Sequence, residues 1–306
     1  MNALLCMTAR NLKIFLKDKA NIFFSLLAPL IVLALYVLFL GRVQVDGINE
    51  SLAAAGVTGA EQSVQAFCDA WMLVGTLASS CITVPLCACG LIVQDKKRGI
   101  VKDFAASAVS GWVAPLSYFL SVIAAGLVLC FAVFLLGLGW LALSGSWYLT
   151  VADVFGAIGV LILSVVCSSA LCVFIAGFLR SEGAFMGLNV IFGTVVGFLI
   201  GAYMPVSMFP AGIRYFTALI PGSYSAGLFR NLLMGGALDS LAEIAPAEAV
   251  DSLAEQFSFN IDFFGRDVVP FVMALVLAGM ALLFIAVMVL FGFVFPEQRK
   301  KPKKNL

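Results

Sequence analysis

The chain has 306 residues, 62% of them hydrophobic and 11% charged, with a net charge of +1. Soluble domains carry about 45–50% apolar residues, so this composition excludes a water-soluble globule, and a near-zero net charge gives no basis for binding nucleic acid. Histidine is absent, which removes imidazole acid–base catalysis, histidine metal ligation and histidine proton relays.

In residues 1–19, Leu5, Ala9, Leu12, Phe15 and Leu16 share one helical face, and Arg10, Lys13 and Lys17 occupy the other. That is the pattern of an amphipathic interfacial helix on the inner leaflet, its basic residues near anionic headgroups of membrane lipid. An ordinary basic flank that fixes topology would read the same way. No small-residue cleavage site follows the first apolar run, so a signal peptide is not expected.

A transmembrane helix needs about 20 apolar residues. Six runs qualify, at 20–40, 71–93, 115–139, 155–179, 184–203 and 268–295. Together they predict an all-α membrane protein with six transmembrane helices over residues 20–295. Pro29 and Pro85 predict kinks in the first two, and Trp112 and Trp140 mark the interfaces at the ends of the third. Of eight cysteines, Cys81, Cys87, Cys89, Cys130, Cys167 and Cys172 lie in apolar runs, where a thiol behaves as a small hydrophobe. Cys87-x-Cys89 lacks a second ligand pair, and Cys68 stands alone in an expected outer loop, so neither a metal site nor a disulfide framework follows.

With the N-terminus inside, the inner segments 1–19, 94–110, 180–183 and 296–306 hold 14 basic and 5 acidic residues, and the outer segments hold 4 and 12. The Lys/Arg bias places both termini in the cytoplasm, with 296–306 as a basic tail. No Asp, Glu, Lys or Arg falls within the six runs. Carriers driven by proton or sodium gradients usually need intramembrane ionisable groups, and membrane hydrolases need a nucleophile with a base. No catalytic residue is therefore expected, and the energy for any transport has to come from another chain.

The inner segment 94–110 is the densest charge cluster between apolar runs. It contains Asp95, Lys96, Lys97, Arg98, Gly99, Lys102 and Asp103, and an apolar stripe at Ile100, Phe104 and Ala108 spaced four apart. The pattern predicts a short amphipathic helix at the cytoplasmic surface for another protein to grip.

Two stripes lie inside the spans. Thr76, Ser80, Thr83 and Cys87 share a helical face in the second. In the fifth, Gly193, Gly197 and Gly201 align, with Asn189 one turn below. Close helix packing explains small residues at this spacing; the other reading is a mildly polar path for a hydrophobic or amphipathic cargo, lined by Thr76, Ser80, Thr83 and Asn189.

Residues 204–236 contain Pro205, Pro210 and Pro221, two half-span apolar pieces, and Arg214 and Arg230. Their length predicts a re-entrant outer hairpin between the fifth and sixth helices. The acidic segment 237–267 reads as a solvated outer loop, helical in part, or as a funnel for cations or substrate, and 41–70 as the other outer loop.

These features resemble the ABC-2 type transporter permeases, whose fold is shared with the ABCG-like exporters. The resemblance rests on Asn11-Leu12-Lys13 and Asp18-Lys19, and on the loop from Asp95 to Phe104. It rests further on Gly201-Ala202-Tyr203-Met204-Pro205, Phe209-Pro210, Pro221-Gly222-Ser223-Tyr224 and Arg230, and covers nearly the whole chain. Arg98 stands where family members often have an acid, and Ser107-Ala108 where they often have Ser-Pro. The resemblance implies a bacterial cell-membrane permease that pairs with a second copy or a paralogue and binds two separate ABC ATPase subunits. Residues 94–108 would be the coupling helix, and the chain itself would carry no cofactor, ATP and magnesium being held by the ATPase. No phosphate-binding Gly-x4-Gly-Lys-Ser/Thr loop occurs here. The expected function is export of a drug, peptide, lipid or glycan precursor. An ion-gradient carrier, a membrane enzyme and a non-transporting sensor are the competing readings.

Overall fold

The computed structural model describes residues 2–107, 109–263 and 266–290. Ala108 and the 296–306 tail lie outside the described residues. Among the described residues the fold is helical almost throughout, and six helical segments are long and apolar enough to cross a membrane. A short antiparallel hairpin, β1 (Ile261–Phe263) and β2 (Arg266–Val268), adds a β element that the all-α reading did not include.

Helix α1 (Asn2–Lys17) leads into α2 (Lys19–Ser25), which Asp18 caps by accepting from the Asn21 N–H. The break before α3 (Leu27–Leu35) falls at Leu26, three residues ahead of Pro29. Pro29 thus sits in the first turn of α3, where its missing N–H costs no intrahelical bond. One π-helical turn, Tyr36–Leu40, joins α3 to α4 (Gly41–Ala54). The first span is therefore Pro29–Ala54, running well past the apolar stretch. Helix α5 (Glu61–Ala88) also begins ten residues ahead of its apolar run. Most of the expected outer loop 41–70 is helix, and only residues 55–60 connect the two spans.

Helix α5 is the hub. With α6 (Gly90–Lys97) it forms a 37-residue segment whose apolar stretch is 94% buried, against 17–50% for the other five spans. It turns at Cys89, four residues after Pro85, where the Cys89 N–H reaches back to both Pro85 and Leu86 carbonyls. Packed around it are α8 (Val113–Leu143), α9 (Val151–Phe178), α10 (Glu182–Leu199) and the α2–α4 segment. Trp112 and Trp140 are both exposed. Their separation of 28 residues along a helix is about 42 Å at 1.5 Å per residue, close to the roughly 40–45 Å of a bilayer with its headgroups.

The segment after α10 forms α11 (Ala211–Thr217) and α12 (Pro221–Leu233), then α13 (Gly235–Ala242) and α14 (Ala247–Gln256). Residues 222–230 of α12 are all buried. The helix packs against α5, α9 and the last span, α15 (Pro270–Leu290), and the Ser164 hydroxyl donates to Ser225 at 2.8 Å. The second arm of the hairpin is thus part of the helical core, because Pro221 starts a full helix there rather than only breaking one. The acidic segment 237–267 is likewise structured, as α13, α14 and the β-hairpin.

Candidate functional site

One end of the bundle gathers α1, α6, α7 (Ile100–Ala106), the start of α8 and the α9–α10 junction. Its centre is Asp95, 1% exposed. Asp95 accepts from Arg10 Nη1 at 2.5 Å and from the Tyr118 hydroxyl at 2.6 Å. The hydrogen bond and charge of Asp95 raise the Arg10 guanidinium above its ordinary value. Beside it Asn11 is buried, and its amide donates to Ser117 Oγ at 3.4 Å. Arg10 is therefore turned inward and not toward lipid headgroups. On the buried side of α1 lie Asn11 and Phe15, whereas Leu5, Leu16, Lys13 and Lys17 are exposed.

The charge cluster divides in two. Lys96 donates to the carbonyls of Ala176 and Gly177 at 3.3 and 2.5 Å, placing a cation at the C-terminus of α9. Lys97 pairs with Glu182 of α10 at 2.6 Å. Asp95, Lys96 and Lys97 thus belong to α6 and bind it to α1, α8, α9 and α10. This corrects their expected place on the docking helix: the apolar run ends at Val93, but the helix continues for one more turn. Beyond it, Arg98 and Gly99 make the turn, with Gly99 at φ +80°, a conformation that favours glycine. Helix α7 buries Val101, half-buries Ile100 and Phe104, and exposes Lys102 and Asp103. Arg98, Lys102 and Asp103 are the charged side chains left for a partner on this turn.

The hydroxyl stripe is closed within the subunit. Thr76, Ser80 and Thr83 are 7%, 0% and 5% exposed. Thr76 and Ser80 donate to carbonyls of their own helix, and Thr83 to Ser25 O at 2.9 Å. Cys87 Sγ donates to Asn189 Oδ1 at 3.3 Å. This face joins α5 to α2 and α10 and does not line an open path. The glycine stripe also differs from expectation. Gly193 has no atom within 4 Å of where a Cβ would stand, and Gly197 lies against the Tyr203 ring. Gly201 is past the end of α10 at φ +75°, where a Cβ would come 2.5 Å from Arg230 Nη2. Its role is to turn the chain and admit an arginine.

Arg230 is fully buried, and burial lowers its pKa to about 10, which leaves it cationic at neutral pH. It donates to the carbonyls of Ile200 and Gly201 at 2.7 and 3.3 Å and of Ser258 at 3.3 Å. Pro205 precedes a 3-10 turn, Val206–Met208, and Pro210 precedes α11.

Sequence reasoning missed Asp69. It lies within α5, 1% exposed, and accepts from Tyr36, Gln65 and Ser146 at 3.2, 3.1 and 2.7 Å. Cys68, its neighbour, is buried in the same helix and not in an outer loop. Helical phase gave no signal for it: Asp69 is two residues, about 200°, from Trp71, and it is buried because α5 is covered on all sides.

Among the described residues, five apolar spans and a sixth, the buried hub, with an exposed charged turn at one end, define a polytopic membrane protein. The chain belongs to the ABC-2 type transporter family, whose model matches residues 2–234. It is a permease component of an ABC transporter: the membrane component, not the ATPase. The match ends at the close of α12, short of the nearly whole-chain extent expected from the sequence. A comparison with curated proteins returns no match.

Proposed function

We propose that this chain is the membrane subunit of an exporter, coupled to its ATPase through the α6–α7 turn and working as one half of a homo- or heterodimer. ATP and magnesium sit on the partner chain. The observation that carries the reading is the anchoring of α6: Asp95, Lys96 and Lys97 fix it to α1, α8, α9 and α10, and it continues from the hub helix α5 across a single turn. A displacement of the exposed turn by ATP-driven closure of the partner therefore moves several spans together, which opens a path outward for a hydrophobic or amphipathic cargo. Such bistable rigid-body motion is how packed helices transmit a local push.

Replacing Arg98, Lys102 and Asp103 together by alanine is expected to lower cargo-stimulated ATP hydrolysis of the reconstituted complex at least about tenfold, the effect of losing one or two charge-assisted contacts. The melting temperature of the purified chain should stay unchanged, since these side chains are exposed. Unaltered coupling in that variant would reject this docking surface. A gradient-driven carrier is less well supported, because Asp69 already accepts three hydrogen bonds.

Orientation has its own test. Cys6 is the exposed cysteine, and the other seven are buried. A membrane-impermeant maleimide is expected to label the folded protein at Cys6, in inside-out vesicles and not in right-side-out ones. The opposite pattern would place α1 and the α6–α7 turn outside and end the coupling proposal.

A further inference from the structure

At the end of the bundle away from the Arg10–Asp95 pair, a cavity of about 560 Å³ lies between α11, α12, α14 and the β-hairpin. Its volume is within the range of small-molecule sites, but its charged lining is unlike their usual apolar walls. Arg230 and Arg214 contribute cations, and Asp251, Glu255, Asp262 and Asp267 contribute acids.

Arginine has five N–H donors. Three of those on Arg230 go to the backbone carbonyls named above, which explains its place as a staple between the end of α10 and the turn after α14. Its Nε is buried and has no hydrogen-bond partner, and among the described residues no carboxylate pairs with its charge. A buried cation held only by carbonyl dipoles is costly unless an anion joins it. Arg214 Nε is likewise buried without a hydrogen-bond partner, but its guanidinium stands 3.8 Å from the Asp262 carboxylate.

The acids have the complementary feature. Asp262 and Asp267 are directly opposed in the β-ladder, where like charges are destabilising. Asp251 and Glu255 follow at i and i+4 on α14, again like charges on one face. Both pairs border the same space as Arg230. A simple anion would meet four carboxylates there, and a simple cation would meet the buried guanidinium. A molecule carrying both charges satisfies each.

We propose that this cavity binds a zwitterion with a phosphate or carboxylate at one end and an ammonium group at the other. Arg230 receives the anionic end, and Asp251, Glu255 and Asp267 receive the cationic end. The chemistry is that of an aminophosphate lipid headgroup or of a soluble amino-phosphate or amino acid. Binding needs neither ATP nor a partner, so its failure leaves the coupling reading standing, and failure of coupling leaves this site standing.

The experiment measures thermal stabilisation of the full chain in detergent by O-phosphoethanolamine, inorganic phosphate and ethanolamine. O-phosphoethanolamine is expected to stabilise saturably, and each half-molecule to bind at least about tenfold more weakly. Asp251→Asn with Glu255→Gln, both exposed and outside the Arg230 staple, should abolish the preference for the zwitterion without lowering the unliganded melting point. Arg230→Lys should remove binding of both phosphate-bearing probes; if that variant misfolds, the rim variant still decides. Absence of stabilisation, equal binding of phosphate alone, or an unaffected rim variant would each overturn the proposal. Nanodiscs then identify the source. Exclusion of the probe from discs of phosphatidylethanolamine but not phosphatidylglycerol assigns the site to a bilayer headgroup, and equal binding in both assigns it to a soluble zwitterion.

Discussion

Arg10→Ala is expected to destabilise the chain by about 3 kcal/mol, the cost of leaving a buried charge without its partner. Asp95 is 1% exposed and the Arg10 side chain 34% exposed, so the two members of the pair do not suffer equally from each other's loss. Without Arg10, the Asp95 carboxylate remains in the packed end of the bundle with the Tyr118 hydroxyl as its remaining donor in this network. Asp95→Asn instead leaves an arginine that can turn toward water, and its amide oxygen still accepts from Tyr118. The expected cost is about 1 kcal/mol, that of one weakened hydrogen bond. Chemical or thermal unfolding in a fixed detergent checks the order. If Asp95→Asn were the more damaging variant, Arg10 would be the buried charge and the network would be wrongly described. Because the Arg10–Asp95 pair links α1 to α6, Arg10→Ala should also weaken ATPase coupling, although Arg10 lies outside the exposed turn.

The second large effect is expected at the opposite end, from Asp69→Ala. The Tyr36 and Ser146 hydroxyls that donate to this carboxylate are both 5% exposed. Each buried donor left without an acceptor costs about 1–3 kcal/mol, so the loss should total about 3 kcal/mol. Gln65 also donates to Asp69, but it is exposed and can bond to water, so Gln65→Ala should be nearly silent. Asp69→Asn keeps one carbonyl oxygen and should fall between the two. The network matters because it joins three segments distant in sequence: the π-helical turn of the first span, the hub helix and the α8–α9 connection. Equal stability of Asp69→Ala and the parent would mean that packing alone holds that end.

The sequence was most legible where the physics is averaged over many residues. Apolar length alone located six spans, since a segment of about 20 apolar residues has no stable alternative to crossing a bilayer. Pro29 and Pro85 pointed to the neighbourhood of two helix breaks, which fall three residues before Pro29 and four after Pro85. Helix ends were less legible. The first two helices continue through Arg42, Asp46 and Glu50 on one side and Asp69 on the other, since a helix needs only backbone hydrogen bonds and can extend past its apolar run. The outer loop expected at 41–70 was mostly helix for this reason.

Side-chain roles divided along the same line. By itself the sequence determined that this is a helical membrane protein, and it singled out the charged segment after the second span as the expected contact for another chain. The tertiary structure decided which charges remain available. Asp95, Lys96 and Lys97 are used internally because their partners Arg10, Tyr118, Glu182 and the end of α9 come from elements far away in the chain. It also decided that the Thr76–Ser80–Thr83 face is packed, that Gly201 serves Arg230, and that a fully buried arginine borders an acid-lined cavity. Periodicity shows which residues share a face of one helix. What that face meets depends on the other helices, and only the assembled bundle supplies it.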